Sequence, residues 1–163
     1  MHRTILASVA AALLFTTSAF AAEISFPSDA PVATMTIPDD WGPKETETGI
    51  DATAPDNSIY LAVDVATADN TEATVKEAIE YLKEQGVTVD AASAKQDEGT
   101  LNGMPLFTIS WSGTDADGPA SIGLAAVTVG DKNLVFTYWG TQGEEDKNAE
   151  AVNAIMRSLK PAS

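Results

Sequence analysis

The sequence holds one histidine, His2, and no cysteine, and that shortage closes most side-chain chemistry at once. Serine and cysteine nucleophiles of the usual kind need an imidazole base. Zinc, haem and iron–sulfur clusters need imidazole or thiolate ligands. No glycine-rich phosphate loop stands between a strand and a helix, so no cofactor is expected. Carboxylates remain, 24 of them. Two can run glycoside hydrolysis when they stand roughly 5 to 9 Å apart, but nothing in the spacing brings a pair together. Asp115-Ala116-Asp117-Gly118 has the opening of a calcium loop, yet the twelfth position from Asp115 is Ala126, where that loop needs a glutamate. A turn is expected there, with Asp115 and Asp117 kept as weak calcium candidates.

Recognition without bond chemistry needs other groups, and the candidates are Trp41, Trp111 and Trp139, with Asp39 and Asp40 beside the first. Trp41 sits in Ile37-Pro38-Asp39-Asp40-Trp41-Gly42-Pro43. Two prolines and a glycine around an indole predict a rigid corner whose ring packs on a sheet edge. Stacking on a ligand is the sharper alternative.

The elements that must position these groups begin after an N-terminal address. His2 and Arg3 give a positive start, Ile5 to Phe15 is an apolar run too short to span a bilayer, and Ala19-Phe20-Ala21 fits a small-x-small cleavage site. Residues 1–21 therefore read as a secretory signal peptide that carries His2 away. Residues 22–163 are expected to fold as a single domain, periplasmic or secreted, as a monomer or a weak dimer. Loss of Arg3 leaves eight basic against 24 acidic residues, 8 − 24 = −16. That sign disfavours nucleic acid and anionic membrane surfaces as partners, and it keeps an exported protein soluble.

Three apolar runs, Leu106 to Trp111, Ala120 to Val129 and Leu134 to Trp139, predict a β-meander, with Gly113 to Pro119 and Gly130 to Asn133 as connectors. Asn102-Gly103 is the sharpest turn signal and should reverse the chain into the first of these strands. Upstream, Ile24 and Phe26 predict a short edge strand and Val32 to Ile37 a second. Lys44 to Pro55 reads as polar, and Ser58 to Thr67 alternates as a third strand, with Asp64 on its solvated face. Val75, Ala78, Ile79 and Leu82 form a helical stripe, capped by Asn70 or by Thr74 with Glu77, and closed by Gly86. Val87 to Val89 predicts a short strand and Ala91 to Gly99 a polar excursion. Val152, Ile155, Met156 and Leu159 place the last helix over roughly Glu145 to Leu159. Two amphipathic helices on a mostly antiparallel sheet make an α+β sandwich.

This ordering resembles the Mog1/PsbP-like fold family: a strand entering a Pro-x-x-Trp corner (Pro38 to Trp41), a long strand, a helix ending in Gly86, the Asn102-Gly103 turn, the meander, and a final helix closing in Ile155-Met156-Arg157-Ser158-Leu159-Lys160. The resemblance covers nearly the whole mature chain. It implies a curved, mostly antiparallel sheet between two main helices, an α/β/α sandwich. It also implies non-enzymatic members that bind proteins: a GTPase-binding nuclear transport factor, photosystem subunits, envelope lipoproteins and effector chaperones. The lipobox cysteine of the lipoproteins is missing, which argues against a membrane tether. No catalytic set carries over.

Two functions follow as expectations. The first is a soluble accessory or binding protein of the cell envelope, without catalysis, that engages an envelope protein or a small ligand. The second is a periplasmic carboxylate-dependent hydrolase of glycosidase type. An exposed apolar patch would favour the first; a cleft with two facing carboxylates beside a tryptophan would favour the second.

Overall fold

The computed structural model describes residues 21–66 and 70–163, so the expected signal peptide lies outside the described residues except for Ala21. Its centre is the meander, built from β8 (Met104–Asp115), β9 (Gly118–Val129) and β10 (Lys132–Thr141). All three strands outrun their apolar runs. The connectors shrink to two residues each, 116–117 and 130–131, because serine and threonine join a ladder readily once it is paired. Gly113 is a strand residue and not a turn residue. A Cβ there would run into the Thr88 carbonyl oxygen and the Ile122 side chain, so glycine serves close strand approach.

The remaining strands extend the sheet on both sides. β3 (Lys44–Glu45), β4 (Gly49–Thr53) and β5 (Ile59–Val65) lead to β10, while β6 (Thr88–Val89) and β7 (Lys95–Leu101) both pair with β8. Every pairing is antiparallel, and the sheet stays open with eight strands. Two polar stretches thus become strands. β4 buries Ile50 and Ala52. β7 buries nothing fully, and its place comes from the Asn102-Gly103 turn, whose left-handed φ of 53° and 82° folds it back on β8.

β1 (Ala21–Phe26), β2 (Ala33–Pro38) and β11 (Lys160–Pro161) form a separate three-stranded sheet. Strand alternation then divides the apolar residues between two clusters. On one face, Met35 and Ile37 of β2 join Leu61, Val63, Val127 and Phe136 of the large sheet with Ile155 of α2 (Glu145–Arg157) and Leu159 just beyond its end. On the other, Ile109, Ile122, Leu124 and Val135 meet Ala78 and Leu82 of α1 (Thr71–Glu84). Leu82 and Ile155 are buried to 0% and 1% exposure, as their stripes predict.

The two helices are secured differently. Asn70 caps α1, its Oδ1 accepting from the Ala73 N–H at 3.0 Å, while Thr74 turns its hydroxyl to the Asn70 carbonyl. Gly86 follows at φ 82°. α2 has no side-chain cap of its own. Instead Asn148 donates to Ser58 Oγ at 2.7 Å, and Asn102 donates to the Arg157 and Leu159 carbonyls, both at 2.9 Å. Ser158 Oγ accepts from the Thr36 N–H at 2.8 Å.

Candidate functional site

Each face of the sheet carries a hollow, and the two differ in chemistry. Under α1, at the β4–β5 side, a cleft of about 350 Å³ is lined by Asp51, Tyr60, Asp64, Glu77, Tyr81 and Thr137 among others. Register explains the grouping. Asp51 pairs with Ala62 of β5, so Asp51, Tyr60 and Asp64 share a face. Asp51 and Asp64 are diagonal neighbours, a relation that sets Cα atoms roughly 7 to 8 Å apart.

Asp64 is half-buried, not the solvated carboxylate that alternation on one strand predicts. A face opposite the main core is open only when nothing covers it, and α1 covers this one. Burial pushes the Asp64 carboxyl above its ordinary range and the charge of Asp51 adds to this, while the Thr48 hydroxyl, donating to Oδ1 at 2.7 Å, pulls the other way. Burial also raises both phenols, and Tyr60 is held higher still by its hydrogen bond to Asp51. The Tyr60 and Tyr81 hydroxyls meet at 3.3 Å. Trp139 backs this pair, its ring centroid 4.3 Å from Tyr60 and 6.4 Å from Tyr81.

On the opposite face, a cavity of about 420 Å³ opens between α2 and one end of the sheet. Its floor follows from small residues in two ranks across the strands. Ser112, Ser121 and Gly140 align in one, and Ser110, Gly123 and Tyr138 in the next. The following ranks on that face hold Ala125 with Phe136 and Val127 with Leu134, where the core closes. Gly123 lets the Tyr138 ring lie flat, since a Cβ would strike it. Val152 and Met156 of α2 form the opposite wall, and Lys95 of β7 stands at the rim.

Of the candidates read from sequence, Asp40 and Trp41 come together in one hollow and the others are scattered. Trp41 lies in the α2-side core at 4% exposure, and Trp111, at 5%, packs in the α1-side cluster while also contributing to the lining of the α2-side cavity, so each has little ring surface to offer. Asp39 and Asp40 are exposed in the 3₁₀ turn that ends at Trp41, and Asp40 and Trp41 border a hollow of about 460 Å³ with Lys44, Asp51 and Tyr60. Trp139 is half-buried behind Tyr60 and does not line the acidic cleft. Asp115 Oδ1 accepts from the Asp117 and Gly118 N–H groups at 2.9 and 3.2 Å, closing the β8–β9 turn. Among the described residues no three carboxylates stand together as a metal site.

Sequence reading passed over Asp51, Tyr60 and Tyr81 in the cleft, and Lys95, Tyr138 and the three serines in the cavity. Only the serines left a signal: small polar residues at period two inside otherwise bulky strands.

An open antiparallel sheet with a helix on each face defines the α+β sandwich class. Within it the fold is Mog1/PsbP-like. No family model matches the sequence, and no curated protein matches it. Among solved structures, cyanobacterial PsbP (CyanoP) from Synechocystis sp. PCC 6803 aligns with a TM-score of 0.57 at 13% identity, over 96% of this chain and 99% of that one. LpqN of Mycobacterium tuberculosis, involved in cell envelope biogenesis, aligns at 0.53 and 16% identity, over 88% and 91%. The Saccharomyces cerevisiae Ran-binding protein Mog1p aligns at 0.51 and 14% identity, over 88% and 96%. Identities this low speak for the fold alone. No helix among the described residues is long and apolar enough to cross a membrane.

Proposed function

We propose that the protein is an exported, non-catalytic binding protein of the cell envelope, and that its ligand enters the cavity between α2 and the serine-lined end of the sheet. The observation that carries this reading is the cavity itself. Its 420 Å³ falls in the range of small-molecule sites, and its walls are hydroxyls, apolar side chains, the Asn153 amide and the Lys95 ammonium, with no carboxylate, imidazole or thiol among the described residues. Such a lining holds a molecule and offers neither the paired carboxylates of a glycosidase nor the imidazole base of the common serine and cysteine hydrolases. The envelope role of LpqN and the Ran binding of Mog1p agree with binding as the use of this fold. The test is native mass spectrometry of protein purified from its own envelope fraction. A bound small molecule is expected, and its absence from a Ser110→Phe variant that fills the cavity would place it there. Protein that is consistently empty, with no ligand taken up from envelope extract, refutes the reading.

The hydrolase reading has one observation in its favour, the pairing of Asp51 with a raised Asp64 in the α1-side cleft. Both carboxylates are already engaged, by Tyr60 and by Thr48. Turnover of a glycoside abolished by Asp64→Asn would establish this activity.

A further inference from the structure

We infer that the α2-side cavity selects a small amphiphile, an apolar body carrying one carboxylate, with Lys95 as the group that recognises the charge. The inference rests on the binding reading above and narrows it to a chemical class.

Among the described residues Lys95 is the only charged one lining the cavity, in a chain with 24 acidic residues. Its ammonium forms no ion pair among the described residues, where the salt bridges run from Lys147 to Glu144 and from Lys160 to Glu23. The register sets Lys95 opposite Ser110, so the cation stands over the serine floor and not out along the edge. The Tyr138 hydroxyl faces the same space and has no hydrogen-bond partner among the described residues, and burial of the ring keeps it a neutral donor. A cation and hydroxyl donors near one rim suit an anionic oxygen group.

Ser58, Ser93, Thr141 and Asn153 add further polar groups to the lining, and the apolar surface is concentrated on α2 and at Ile59. Met156, Val152 and Ala149 of α2 face the floor, Ile59 continues that floor beside Gly140, and a flexible methionine accommodates alkyl chains of varied shape. The negative field of the whole protein works against an anion at long range, but salt at physiological strength screens it within about 8 Å. At contact distance Lys95 dominates. The wall is also preformed, because α2 is pinned over the cavity through Asn148 to Ser58 and at its far end through Asn102.

The test uses decanoate and decan-1-ol, which share an apolar body and differ in the head group, titrated into the mature protein and followed by NMR shift changes. Wild type should bind decanoate more tightly than the alcohol. Lys95→Gln, an exposed edge-strand change, should weaken decanoate by about threefold to tenfold and leave the alcohol within about twofold. Ser110→Phe, also exposed, should remove both. Equal affinity for acid and alcohol, or decanoate binding unmoved by Lys95→Gln, overturns the assignment of charge selectivity while the cavity stays a ligand site. If neither compound saturates the wild type, or if Ser110→Phe binds both as the wild type does, the binding reading falls and this inference with it.

Discussion

The two helices cover the same sheet by different means. α1 is self-sufficient: its own cap at Asn70, its own glycine stop, and a stripe whose Ala78 and Leu82 fill the face beneath it. α2 borrows its ends from elsewhere, taking Asn102 from the β7–β8 turn, Thr36 from β2 and Ser58 from the start of β5. The surfaces beneath differ accordingly. Under α1 the sheet presents carboxylates and aromatic rings in a cleft whose groups bond to one another; under α2 it presents a clamped helix over a hollow where Lys95 has no ion pair and the Tyr138 hydroxyl no hydrogen-bond partner among the described residues. Alternation puts both on the same strands, with Tyr138 on one side of β10 and Trp139 on the other.

The largest effects test whether both helices belong to one cooperative fold. Leu82→Ala and Ile155→Ala each remove a fully buried side chain and should cost about 2 to 5 kcal/mol in urea unfolding. A loss under about 0.5 kcal/mol at either would show that its helix is not part of the core.

Next is the clamp. Asn102→Ala removes two hydrogen bonds to the end of α2 and the residue suited to the positive φ of the turn, so a loss of about 1 to 3 kcal/mol is expected. Hydrogen exchange should quicken in α2 and stay unchanged in α1. Equal quickening in both would erase the distinction drawn between them. The matching change on the other face, Asn70→Ala, should cost about 1 kcal/mol and loosen only the first turn of α1.

The smallest effect concerns the acidic cleft. Asp64 has a raised carboxyl in the folded state, so its favourable contribution is complete below the ordinary value of 3.8 and is lost as pH rises through the raised one. Asp64→Asn should therefore gain on the wild type as pH rises above about 4, and a stability difference that is flat from pH 3 to 7 would show that Asp64 is ordinary.

Much of this was legible in the chain itself. Periodicity marked the three meander strands, the faces of both helices and the side of β5 on which Asp64 lies, because each is a local consequence of 2.0 or 3.6 residues per repeat. Asn102-Gly103 announced its turn, since few other pairs adopt two positive φ values in succession. The shortage of imidazole and thiolate likewise needed no coordinates. β7 was illegible for a physical reason: Lys95-Gln96-Asp97-Glu98-Gly99-Thr100-Leu101 has no apolar alternation, and an edge strand exposed on both faces needs none. The short β11 carries too few residues for any pattern. Tertiary structure alone decided that Asp64 would be covered, that Asp51 would stand diagonal to it from a strand outside the meander, and that Lys95 would face Ser110. Each of these depends on which distant segment pairs with which, and a side chain's environment is set by what lands on it as much as by its place in its own strand.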